Sequence, residues 1–188
     1  MKDWRESVPS VETTDPKPEE AEGLKESAVL VPVYEDEDGE PGLLFTKRSD
    51  DLPRHAGQVS FPGGRREEGD GTLLDTALRE LHEEVGLPSG HVDVVGCFDN
   101  VCTTTGYCIV PFVGGVPRDF EYVKQESEVA ELIFAPVAEL AEPSVHERRR
   151  KGGYKLHYFH YEGYTIWGAT AEILVDFLDA VGLWRKGR

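Results

Sequence analysis

The sequence predicts an α/β fold of the mixed α+β kind, with a mixed β-sheet packed between helices. Short apolar, β-branched runs bounded by Gly, Pro, Asp and Asn recur along the chain, as strands do. Two stretches instead carry apolar residues at three- and four-residue intervals, the spacing of one helix face: the latter part of residues 63–87, and residues 168–181. Strands and helices are interleaved, with two principal helices and about seven strands, and a sheet sandwiched between helices is the economical way to bury both of its faces.

At 188 residues the chain is long enough for one domain with a sizeable core. Against 20 Lys and Arg stand 36 Asp and Glu, a formal charge of −16. Such a surface speaks against a nucleic-acid backbone as the main partner, because polyanions need basic surface. Small phosphorylated ligands stay open, since a local metal attracts them despite the global field. No apolar run approaches a membrane span, and the polar N-terminus lacks a signal-peptide core. Cys97, Cys102 and Cys108 form neither a C-x-x-C pair nor an even set, and their expected state is reduced, as small core residues. The expectation is a soluble cytoplasmic protein with no nucleic-acid and no membrane partner.

Residues 1–26 are rich in Glu, Pro, Ser and Thr and read as an acidic, flexible or loosely docked tail, in which Trp4 and Val8 are the available anchors. The domain proper is expected over residues 27–188. It opens on AVLVPVY, a buried strand, followed by the turn EDEDGEPG and a second strand, LLFTKRS. The loop DDLPRHAGQ leads through a short strand, VSF, to Pro62 and the pair Gly63-Gly64. An acidic turn and the main helix follow. Its stripe of Leu74, Ala77, Leu78, Leu81 and Val85 faces the core, which would leave Asp75 and the acids from Glu80 to Glu84 facing away. VDVVGCF is the next strand, and DNVCTTTGYCIVPFVGGV reads as strand, turn and strand with its bend at Thr103 to Gly106. VAELIFAPVAEL runs from a strand into a short helix begun by Pro136. YKLHYFHYEGYTIW alternates like a hairpin, and the closing helix aligns Ala171, Leu174, Val175 and Leu178.

The main helix carries the chemistry. At roughly 100° per residue, Glu80 and Glu84 lie about 40° apart with Glu83 beside them, so three carboxylates crowd one patch. Like charges at this spacing destabilise a helix unless a cation offsets them, and a hard divalent ion takes several carboxylates at once. A solvated acidic face would give the same letters. The glycine pair upstream argues for the metal, because its backbone can approach an ion or a substrate with no side chain in the way.

RELHEEVGL, residues 79–87, resembles the second half of the Nudix hydrolase signature, R-E-x-x-E-E-x-G followed by an apolar residue. Measured from Gly64, Arg79 lies one residue farther along than the general signature places it, and Asp70 stands near the position of that signature's first glutamate. The stretch LLFTKRSDDLPRHAGQVSFPGG, residues 43–64, is similar to the additional motif of the coenzyme A diphosphatase branch, which also carries the longer spacing and an Asp before the helix. YEGYTIWGATAEIL, residues 161–174, is similar to the same branch.

The resemblance implies a Nudix-type α/β/α sandwich and Mg²⁺- or Mn²⁺-dependent hydrolysis of a nucleoside diphosphate derivative. For the branch it implies coenzyme A or acyl-coenzyme A, cut to 3',5'-ADP and (acyl-)4'-phosphopantetheine. ADP-ribose or NADH is the alternative substrate, and a catalytically silent nucleotide-binding module the alternative of another class. The chemistry is coherent: a diphosphate ester repels nucleophiles by its own charge, so its hydrolysis needs cations on its oxygens and a positioned water. Carried over by resemblance, Glu80, Glu84, Glu83 and the Gly64 carbonyl would hold the metal, and Arg79 would orient the carboxylates. Glu83 is one candidate general base, and Glu126 or Glu128 the other. Arg48, Arg54, His55 and Gln58 are candidates for holding the diphosphate or the pantetheine amides, against the alternative of a loop stitched by its own hydrogen bonds. The basic run Arg148, Arg149, Arg150 and Lys151 reads as a solvated loop or as a partner for a ribose 3'-phosphate. Homodimers occur among proteins of this resemblance.

Overall fold

In the computed structural model the described residues are 1–10, 23–51 and 56–184. Among them the order is α1 (Trp4–Ser7), β1 (Lys25–Glu35), β2 (Pro41–Arg48), β3 (Val59–Ser60), β4 (Gly63–Arg65) and α2 (Leu73–Val85). A 3₁₀ turn (Ser89–His91) follows, then β5 (Asp93–Cys97), β6 (Val101–Cys102), β7 (Tyr107–Gly115), β8 (Val129–Pro136) and α3 (Val137–Leu140). The chain closes with β9 (His146–Lys151), β10 (Tyr154–Tyr161), β11 (Tyr164–Trp167) and α4 (Ala169–Ala180).

β1 is the central strand of a mixed sheet. It runs antiparallel to β2 through one half of its length and to β4 through the other, and parallel to β7 along its far side. β8 and β3 extend the sheet beyond β2, and β5 and β6 extend it beyond β7, all antiparallel. A separate antiparallel sheet runs in the order β11, β10, β9.

Because side chains alternate along a strand, each face of β1 serves a different core. Ala28, Leu30 and Tyr34 pack with Val110 and Phe112 under α2, against Leu73, Ala77, Leu81 and Val85. Val31 and Val33 face the other way, toward Phe45, Phe61, Phe159 and the α4 residues Leu174, Phe177 and Leu178. A sheet covered on both faces needs nearly continuous apolar strands, which is why AVLVPVY shows no polar alternation. The α/β/α sandwich with a mixed sheet is thus observed.

Several expectations are corrected. Strand pairing is more extensive than the sequence pattern indicated: Gly63-Gly64 belongs to strand β4, and the basic run lies on strand β9, not in a loop. The buried stripe of α2 is Leu73, Thr76, Ala77, Leu81, Glu84 and Val85, with Leu74 only partly buried. Glu84 therefore faces inward, since seven residues on from Ala77 a helix returns to within about 20° of the same direction. Cys102 and Cys108 are register partners across the β6–β7 hairpin and form a disulfide, while Cys97 is free. The hairpin register, invisible in the spacing alone, brings them together, and the compartment argument built on three reduced thiols falls with it. No helix among the described residues is long and apolar enough to cross a membrane.

At the N-terminus, Trp4 is 3% exposed and Val8 6% exposed, both within the core beneath α4. Trp4 Nε1 donates to Glu35 Oε1 at 3.2 Å, the Lys2 amide donates to the Val181 carbonyl, and the Cys97 amide to the Pro9 carbonyl. Residues 11–22 of the expected tail lie outside the described residues. Truncating a buried indole costs about 3–5 kcal/mol. Trp4→Ala is expected to lower the urea-unfolding free energy by that amount with an unchanged m-value. A loss below about 1 kcal/mol would show that the segment adds no packing.

Candidate functional site

The site is built at the start of α2. Thr72 caps the helix: its hydroxyl accepts from the Asp75 amide while the Asp75 carboxylate accepts from the Thr72 amide, a capping box that fixes where the helix begins. Gly86, in the left-handed conformation, ends it. Between these stops, Arg79 gathers the surrounding acids. Its Nε and Nη2 donate to the two oxygens of Asp70 at 3.0 Å each, a bidentate pair, and Nη2 also donates to the Arg65 carbonyl. Its Nη1 donates to Glu80 Oε1 and to Glu83 Oε2, both at 3.0 Å. Asp70 also accepts from the Glu67 amide and the Thr76 hydroxyl, and together with Arg79 these hold its carboxyl well below the usual range. Asp70 is thus the anchor of the loop before the helix, tied to Arg79.

Glu84 is 3% exposed and accepts from the Thr46 hydroxyl at 3.2 Å. Burial first, and then the neighbouring Glu80 charge, push its carboxyl up to about 8, against the opposing pull of Arg48 and Thr46. Burial likewise raises Glu80, opposed by Arg79. Two half-desolvated carboxylates that raise one another are short of positive charge, which fits a divalent cation. The backbone fits as well: a Cβ on Gly64 would stand 2.2 Å from Glu80 Oε1, so only a bare α-carbon lets this carboxylate lie against β4. Among the described residues no three Asp, Glu, His or Cys side chains converge on one point, because Glu80 and Glu83 turn to Arg79 and Glu84 turns to Thr46.

The loop before β8 closes the C-terminal end of α2. The Val123 amide donates to the Val85 carbonyl and the Gln125 amide to the Glu84 carbonyl, which lays residues 123–128 beside the buried acid. Glu128 is exposed, its carbonyl accepts from the Ser49 amide, and its charge acts on both Glu80 and Glu84. Glu126 is exposed in the same turn.

The upstream segment is only partly beside the acids. Arg48 lies near Glu84, and its buried Nε has no hydrogen-bond partner. Gln58 is held through its backbone, its carbonyl accepting from the Arg48 amide. Arg54 and His55 lie outside the described residues. The basic run is not brought to the acids: it occupies β9, separated by β10 from the strand β11 that packs beside β3, and Arg149 is held by Glu147 and stacks on Tyr158. His157 turns to His146, and His160 to Glu147. Thr46 is the site residue the sequence did not disclose. Its signal is strand alternation, which sends Thr46 and Arg48 to the α2 face of β2 and Lys47 to the other.

The NUDIX domain family model matches residues 24–155. An uncharacterized Nudix hydrolase NudL of Cronobacter sakazakii is 40% identical over 162 residues, covering 84% of this chain and 83% of that protein. Its counterpart from an Enterobacter species is 36% identical over 163 residues, covering 85% and 84%. Among solved structures, the Nudix hydrolase RenU of M. smegmatis shares the fold with a TM-score of 0.53 at 20% identity, over 63% of this chain and 74% of that one. With its family model spanning most of the described sheet and all of α2, and with relatives alike over most of their length, this chain belongs to the Nudix hydrolases, enzymes of nucleoside diphosphate derivatives that generally use Mg²⁺ or Mn²⁺.

Proposed function

We propose that this Nudix hydrolase cleaves the diphosphate linkage of coenzyme A or acyl-coenzyme A, giving 3',5'-ADP and (acyl-)4'-phosphopantetheine. One observation carries the reading: the segment that resembles the coenzyme A diphosphatase motif, residues 43–64, and the carboxylate helix form one site. Thr46 from that segment bonds Glu84, Arg48 acts on the same carboxylate, and Gly64 lies under Glu80. A motif that merely stitched a remote loop would have no reason to bear on the acids of α2.

Glu80, Glu84, Glu83 and the Gly64 carbonyl are the groups that would hold Mg²⁺ or Mn²⁺, which when bound neutralises diphosphate oxygens and acidifies water. Arg79 keeps Glu80 and Glu83 on one side of the helix and fixes them to the Asp70 loop, so it positions ligands without touching substrate. Arg48 has an unused buried donor suited to a diphosphate oxygen, and Gln58 and the adjoining Arg54 and His55 belong to the same substrate-binding segment. Glu128 is the general base assigned here, because Glu83 is already held by Arg79 while Glu128 stands exposed over the acid cluster. The protein's functional partner is the nucleotide substrate.

Turnover of coenzyme A, ADP-ribose and NADH in Mg²⁺ and in Mn²⁺ tests the substrate. Coenzyme A is expected to give the highest kcat/KM, and no cleavage of coenzyme A would refute the assignment. Glu128→Gln is expected to lower kcat by about 10²- to 10⁴-fold and to flatten the acid limb of the pH–rate profile at an unchanged metal requirement. A raised metal requirement instead would make Glu128 a ligand and return the base to Glu83.

Glu84 gives a second, independent readout. Its pKa is raised on folding from 4.5 to about 8, so the stability it contributes is full below about pH 4.5 and is lost as pH rises through about 8. In the metal-free protein Tm is therefore expected to fall between about pH 5 and about pH 8, with the raised Glu80 contributing in the same sense. Glu84→Gln is expected to remove most of that slope and to lower turnover by orders of magnitude while the fold persists. Added Mg²⁺ should raise the wild-type Tm more at about pH 8 than at about pH 6, because proton and cation compete for one carboxylate. Full turnover in Glu84→Gln would take this residue out of the site.

A further inference from the structure

A groove of about 560 Å³ opens on the far side of β2 from the carboxylates. Lys47, between Thr46 and Arg48, lines it together with Gln58, Glu131 of β8, and Tyr164, Thr165 and Trp167 of β11. Its size falls in the range of small-molecule sites, about 300–1,000 Å³. Two features describe its chemistry. The charges inside it are already matched: Lys47 Nζ lies 2.6 Å from Glu131 Oε1, and the Tyr164 hydroxyl donates to Glu131 Oε2 at 2.5 Å. A further acid, Glu162, stands on its lining. The groove therefore offers no spare cation to a phosphate. Trp167, by contrast, is 44% exposed although it sits on a paired strand whose neighbour Ile166 is 1% exposed. An indole left open beside a rim of hydroxyl, amide and carboxylate groups suits a flat, neutral ligand with an apolar face and a hydrogen-bonding edge.

We propose that this groove takes the purine base of the nucleoside diphosphate substrate, stacked on Trp167, with its polar edge toward Thr165, Gln58 and Glu131. The groove and the acids are separated by a single strand end. The Gly57 amide donates to the Arg48 carbonyl and the Arg48 amide to the Gln58 carbonyl, so the residues flanking the groove are pinned to the residue beside Glu84. An extended diphosphate ester passes around that end and reaches both. The inference rests on the chain being a hydrolase of nucleoside diphosphate derivatives, and it holds for any adenosine-containing member of that class.

Titration calorimetry on the full chain with AMP, 3',5'-ADP and 4'-phosphopantetheine tests it without requiring turnover. Trp167→Ala is expected to weaken both adenosine nucleotides by about 5- to 100-fold, and Trp167→Phe to restore most of the affinity, with 4'-phosphopantetheine unaffected by either. Both variants are expected to keep the wild-type Tm, since the ring is largely outside the core. Unchanged nucleotide affinity in Trp167→Ala, or a loss confined to 4'-phosphopantetheine, would overturn the proposal. Failure of the enzyme to cleave coenzyme A would refute the substrate assignment alone, because the nucleotide titrations read the groove directly.

Discussion

The guanidinium of Arg79 is the charge on which the arrangement of this site depends. α2 brings Glu80, Glu83 and Glu84 to adjacent positions, and Asp70 approaches from the preceding loop. Without a fixed cation among them the helix face and the loop would repel each other. Arg79 answers with a bidentate pair to Asp70, a bond to each of Glu80 and Glu83, and a bond to the Arg65 carbonyl. A lysine carries the same charge but lacks the planar fork that reaches several partners at once. One side chain thus fixes the loop, the helix face and the end of β4 relative to one another, before any metal or substrate enters.

Glu84 lies beyond that reach, and it shows the tension between stability and function. It occupies a core position of α2, in line with Ala77 and Leu81, where an apolar side chain would pack without penalty. The fold accepts the acid through one hydroxyl, Thr46, and a distant Arg48. Such an under-compensated buried carboxylate is a poor structural choice and a good ligand, since it gains the most from a cation that replaces its lost water. The two faces of α2 therefore do different work: the Arg79 side is self-neutralised, and the Glu84 side is short of positive charge.

Much of this was legible in the sequence. The apolar runs located the strands because a sheet covered on both faces leaves no polar alternation to confuse, and the caps Thr72 and Gly86 bracket the helix as letters do. The clustering of Glu80, Glu83 and Glu84 followed from helical spacing. What could not be read was depth. Glu84 looked solvated because charge alone suggests exposure, and only the position of Thr46 across the sheet shows otherwise. Pairing was hidden for the same reason: a glycine pair and a run of arginines have weak strand propensity, and they become β4 and β9 only through their neighbours β1 and β10. Cys102 and Cys108 likewise depend on a register that local composition does not encode.

The parallel pairing of β1 with β7 carries a kinetic consequence. Lys25 pairs with Tyr107 and Val33 with Gly115, so the centre of the sheet joins segments from opposite ends of the family domain, with the loop, α2 and β5 between them. The helix, capped at both ends by its own neighbours, can form locally, whereas the surface it packs on requires closure of a long loop. During synthesis the acids of α2 emerge well before β7 does. For that interval the chain holds a charged helix with no floor beneath it, and the burial of Glu84 is completed only when the last central strand arrives.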